Sequence, residues 1–112
     1  MRIKALENWS YTPEFAGNKD QPVADQTVYT FRVLSGKEDL DLRREGKDVF
    51  PDTLEHIVVS VKNTPIVLDK NGKEHSTNVL DLTSKAELKG LYLELIVEYG
   101  NHSVLDATSE KR

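Results

Sequence analysis

Cysteine is missing altogether, which removes disulfides, thiolate nucleophiles and thiolate metal sites together. The six glycines are isolated from one another, so nothing resembles a phosphate-cradling loop. Long apolar runs are missing too. Each is broken within a few residues, so no segment has the length to span a bilayer. The opening MRIKALENW lacks the continuous apolar stretch of a secretory leader, and the chain reads as intracellular. On that reading the acceptor patterns Asn8-Trp9-Ser10 and Asn101-His102-Ser103 are coincidental. There is no cationic excess: 15 Lys and Arg stand against 19 Asp and Glu, a net charge of −4. A phosphate backbone needs a dense basic face, so nucleic acid is not the expected partner. Arg43-Arg44, the one adjacent Arg pair, is ringed by Asp39, Asp41 and Glu45 and reads as a solvated helix face.

The chemistry of known sites is equally sparse. His56, His75 and His102 are too far apart to form an H-x-x-x-H pair. Asp39 and Asp41 form a D-x-D without the glycine or the twelfth-position Glu of a calcium loop. Asp69, Asn71 and Gly72 are better explained as a turn. No G-x-S-x-G is present, and nothing singles out one carboxylate pair among 19 acids. The expected function is non-enzymatic, with no metal and no cofactor.

What is there is a globular mixture: 112 residues, 38% hydrophobic and 30% charged, the size of one domain spanning residues 1–112. The clearest element is a helix over Ser84–Gly100. Leu88, Leu91, Tyr92, Leu95, Ile96 and Tyr99 recur at spacings of three and four. Ser84 with Glu87 predicts a capping box, and Gly100 a left-handed stop. A second helix is predicted over about 36–45, capped by Ser35 and Glu38, offering only Leu40 and Leu42 to a core and ended by Gly46. A third opens at Pro51-Asp52, where Asp52 with Glu55 makes a box and Leu54, Ile57, Val58 and Val61 keep helical spacing. The alternation of Ile57, Val59 and Val61 also suits a strand, and the caps favour the helix.

Thr27–Leu34 is the best strand, with Tyr29, Phe31 and Val33 alternating against Thr30 and Arg32. Arg2–Leu6 is a short candidate strand. Ile66–Leu68 enters a hairpin at Asn71-Gly72 and returns through Glu74–Ser76. Thr77–Leu82 reads as one helical turn, Val104 and Leu105 as docking residues, and the tail from about 106 as frayed.

Between the first strands lies a loop-like stretch, 7–26, punctuated by Pro13, Gly17, Asn18, Asp20, Pro22 and Asp25. Trp9, Tyr11 and Phe15 sit inside it, in a chain with one Trp, four Tyr and three Phe. A long structureless loop in so small a domain is unusual and often functional. The three rings either fold back over the core or anchor a partner, since aromatics supply much of the energy at interfaces.

The stretch WSYTPEFAGN, running on through Asp20-Gln21-Pro22 and Asp25-Gln26 to TVYTFRVLSGKEDL, resembles a group of small tailed-bacteriophage and prophage proteins. Those share an aromatic-Pro-Glu-aromatic-x-Gly-Asn opening, a strand and a polar helix start. The second half, a capped segment around Leu54–Asn63, a turn and a helix, is similar to tail assembly chaperones of long-tailed phages. The resemblance implies non-catalytic binding of a tape measure or tail tube protein in the host cytoplasm during assembly. A minor virion subunit (connector, decoration or tail component), for which self-association is expected, is its alternative. The expected architecture is α+β: a small antiparallel sheet from Arg2–Leu6, Thr27–Leu34 and the hairpin, covered on one face by two or three helices. Partner contact is expected at Trp9, Tyr11 and Phe15.

Overall fold

A computed structural model describes residues 1–46 and 52–102. The chain is α+β. Three short strands form one antiparallel sheet in the order β1 (Trp9–Tyr11), β2 (Val28–Phe31), β3 (Val58–Lys62). Pairing sets Trp9 opposite Phe31 and Tyr11 opposite Tyr29, while Tyr29 faces Val61 and Phe31 faces Val58. Alternation along β1 and β2, with a one-residue register shift in β3, then puts all six of these side chains on one face. Ser10, Thr30 and Ser60 lie on the other, where the Ser10 and Thr30 hydroxyls are 3.0 Å apart.

The apolar face carries the core. Tyr29 and Phe31 are buried together with Leu34, Leu42, Leu54, Ile57, Leu82, Leu88, Leu91 and Leu95. Leu34 comes from the loop after β2 and Leu88 from a 3-10 turn; four helices supply the other leucines and Ile57: α1 (Gly36–Arg44), α2 (Asp52–Ile57), α3 (Asp81–Ser84) and the main helix α4 (Lys89–Gly100). α1 forms as its sequence predicts. The Ser35 hydroxyl accepts from the Glu38 N–H while Glu38 accepts from the Ser35 N–H, Leu42 is buried, Leu40 is exposed, and Gly46 follows at φ 73°.

Several expectations are corrected. Arg2–Leu6 is not a strand; residues 1–8 carry no regular structure and are exposed. Register explains it, because continuing the β1–β2 ladder would set Leu6 opposite Leu34 and Lys4 opposite Gly36. By then the Ser35 box has turned the chain into α1. The first strand falls instead inside the supposed loop, where Trp9-Ser10-Tyr11 has the period of two that a strand requires. β2 is also shorter than Thr27–Leu34, ending at Phe31.

The helix proposed from Asp52 splits after Ile57 into α2 and β3. Leu54 and Ile57 reach the core from the helical turn, and the β-branched run Val58-Val59 then pairs with β2. Thr30 faces Ser60 but Phe31 faces Val58, leaving Val59 as a bulge residue, 49% exposed. The Asp52 side chain and Pro51, offered as the start signal, lie outside the described residues, as do Val104, Leu105 and the tail.

The main helix begins at Lys89 rather than Ser84. Asn78 and Asp81 bond each other's backbone N–H reciprocally, at 2.8 and 3.1 Å, and so start α3 earlier. Ser84 ends that helix, and Lys85 is extended (φ −109°, ψ 121°). In one continuous helix Leu82 and Leu88 would point about 120° apart. The break lets both reach the core, at 1% and 4% exposure. Gly100 is the last residue of α4, not a left-handed stop, and the chain runs on through Asn101 at φ −61°.

The Asn71-Gly72 hairpin forms, but as a separate two-stranded sheet of β4 (Ile66–Leu68) and β5 (Glu74–Ser76) rather than as part of the main one. Asp69 Oδ1 accepts from the Asn71 and Lys73 N–H groups, and Gly72 takes φ 79°.

Candidate functional site

The WSYTPEFAGN stretch builds an arch from β1 across to β2. Pro13 is fully buried at its start. Phe15 then packs against Gly90 of α4, so closely that a Cβ at position 90 would stand 2.5 Å from the ring. Ala16 and Gly17 follow in the left-handed region at φ 55° and 69°. For alanine that conformation costs about 1–2 kcal/mol, so its surroundings must enforce it.

Two asparagines do so. Asn18 donates to the Pro13 and Thr27 carbonyls and accepts from the Thr27 N–H, closing the arch. Asn63, itself at φ 53°, donates to the Ala24 and Gln26 carbonyls and ties the arch to the end of β3. The third fastening is Glu94 of α4. Its carboxylate accepts the Tyr11 hydroxyl at 2.5 Å and the N–H groups of Glu14 and Phe15 at 2.8 and 3.1 Å. Burial and the bond to Glu94 raise the Tyr11 hydroxyl above its ordinary pKa. Burial does the same to Tyr29 and Tyr99. These phenols stay protonated at neutral pH.

The three aromatics named from sequence therefore fall on one assembly. Trp9 lies tilted against Phe31 and stacks on Tyr99 and His102, at centroid distances of 4.9, 6.4 and 3.9 Å. Tyr11 holds Glu94, and Phe15 caps Gly90. All three are half-buried and packed against the core. Sequence reasoning missed Glu94, Asn18 and Asn63 as the fastenings. The signals were a lone carboxylate inside the apolar run LYLELIV and asparagines flanking glycine and proline turns.

Two concave surfaces border α4. A cleft of about 620 Å³ opens under the arch, lined by Pro13, Phe15, Leu88 and Leu91 on one side and by Asn63, Pro65, Ile66 and Ser76 on the other, with Asp25 its one charged lining residue. A smaller groove of about 330 Å³ lies between α3 and α4 over Leu82, Ala86, Tyr92 and Leu93, with Lys85 and Lys89 beside it. Next to it, α4 keeps Leu93 and Val97 50% and 58% exposed, one turn apart on a single stripe.

The histidines stay in separate places: His102 on Trp9, His75 3.0 Å from Asp69, and His56 on α2 beside β2. No group of three His, Cys, Asp or Glu converges among the described residues. No helix among them is long and apolar enough to cross a membrane. No family model, curated protein or solved structure matches the chain.

Proposed function

We propose that this protein works by binding another protein, without catalysis, as a phage tail assembly chaperone of the kind its sequence resembles. The observation carrying this reading is that α4 is apolar on two faces. Leu91 and Leu95 fill the core, while Leu93 and Val97 stand in solvent beside the groove against α3. A helix apolar all round belongs in an interior, so the outer stripe fits a surface that a partner covers. An apolar groove lined by two lysines suits an amphipathic helix whose polar edge is acidic. Trp9, Tyr11 and Phe15 serve this surface from behind, by holding the arch and α4 in place.

The test is affinity capture from a lysate of infected or induced cells, with mass spectrometry of both the eluate and purified particles. Capture of a long helical tape-measure-type protein, with none of this chain in the particle, is expected. The double variant Leu93→Asp/Val97→Asp should lose capture and keep its melting temperature, because both side chains already face water. Single alanine variants of Trp9, Tyr11 and Phe15 should lower the melting temperature while leaving capture by the folded fraction unchanged. Capture that survives the α4 variant but fails with the aromatic variants returns the contact to the aromatic patch. A fixed stoichiometry in particles makes the protein a virion subunit, the reading that the exposed segment ahead of β1 favours.

A further inference from the structure

Two features play no part in the core or in the α4 stripe: the segment before β1 and the cleft under the arch. Residues 1–8 carry the alternation of a strand, with Ile3 between Arg2 and Lys4, yet Ile3 and Leu6 are 82% and 68% exposed. The ladder cannot take them in, because β2 has already given way to α1 opposite them. They continue an edge strand, and an unpaired edge with apolar side chains is a template for pairing with another chain.

The cleft has the opposite character. Its floor is apolar, and the amides of Asn18 and Asn63 in its wall are already committed to the arch. Among the described lining residues the one charge is a carboxylate, Asp25, and no cation is present. An extended segment that offers apolar side chains with flanking cations matches both properties, and MRIKAL is such a segment. The matching halves also lie apart, toward the two ends of α4. β1 runs from Trp9, beside Tyr99, toward Pro13 at the cleft. Along α4 the same two ends, Tyr99 and Leu91, are about 12 Å apart. Residues 1–8 are all exposed and none of them lines the cleft, so the segment does not fill the cleft of its own copy.

The geometry points to the cleft as the receptor for residues 1–6 of a second copy of this chain. The contact is heterologous, arm of one copy into cleft of the next, so repetition builds a ring or an open chain. It is independent of the α4 surface and of the identity of any partner bound there.

Two variants with exposed substitutions test it. The arm variant is Ile3→Asp/Leu6→Asp, and the cleft variant is Ile66→Lys/Asp25→Lys. Light scattering behind gel filtration should show wild-type mass rising with concentration, while each variant alone stays at the 12.7 kDa of one chain. An equimolar mixture of the two should then form a species of twice that mass and nothing larger, because it holds one working arm and one working cleft. Wild-type protein that remains a single chain at every concentration would overturn the proposal. So would association that survives either variant, or variants that fail to complement each other.

Discussion

Glu94 is the residue on which the arch depends most. One carboxylate accepts three donors from Tyr11, Glu14 and Phe15, so Glu94→Ala leaves two backbone N–H groups without their acceptor. A loss of about 2–3 kcal/mol in urea unfolding is expected, and about 1 kcal/mol for Glu94→Gln, which keeps one acceptor oxygen. Gly90 makes the complementary case. Alanine is favoured over glycine within a helix by about 1 kcal/mol. Here its Cβ would meet the Phe15 ring at 2.5 Å, and Gly90→Ala should destabilise by about 1–3 kcal/mol instead. Phe15→Leu should relieve part of that cost, which a double-mutant cycle reads directly. Trp9 separates shape from polarity. Its indole N–H is buried without a hydrogen-bond partner among the described residues, so Trp9→Phe loses no bond to them and should cost under about 1.5 kcal/mol, whereas Trp9→Ala, which leaves a hole against Phe31 and Tyr99, should cost about 3–5 kcal/mol.

At the scale of elements, the hairpin behaves as a unit apart from the main sheet, and its turn hangs on Asp69. The carboxylate is held below its ordinary pKa, first by the bond from His75 and then by the Lys73 and Asn71 N–H groups. A depressed carboxylate adds stability above its unfolded pKa and loses it as pH falls through the folded value. The hairpin amides should therefore lose hydrogen-exchange protection in the acid range below the usual carboxylate pKa. Asp69→Asn should remove that pH dependence. The helices show how local signals fared. α1 was legible because its box is entirely local, Ser35 to Glu38. The start of α4 was not, because Ser84 offers a cap that the fold does not use: α4 begins after Leu88 with no side-chain cap, and the break before it rests on where Leu82 and Leu88 must point. The α2–β3 junction was ambiguous for the same reason. Ile57 and Val61 suit either period, and only pairing with Tyr29 and Phe31 selects the strand.

At the scale of the whole molecule, the segment ahead of β1 stands outside the core. Removing residues 1–7 should leave the urea midpoint and its slope unchanged at low protein concentration, because none of them is buried. At high concentration the same deletion should lower the midpoint, since association that favours the folded state adds stability by mass action.

The sequence by itself determined the α+β class, the alternation of Tyr29 and Phe31, the α1 cap, the Asn71-Gly72 turn and the leucine face of α4. Each is decided by neighbours within a few residues, or by a period that repeats along one element. Only the tertiary structure decided that Trp9 and Tyr11 form an edge strand on the core face and that Arg2–Leu6 does not pair. It alone decided that Glu94, 83 residues from Tyr11, closes the arch. Strand pairing and long-range hydrogen bonds depend on which backbone lies opposite, and a local pattern carries no record of that.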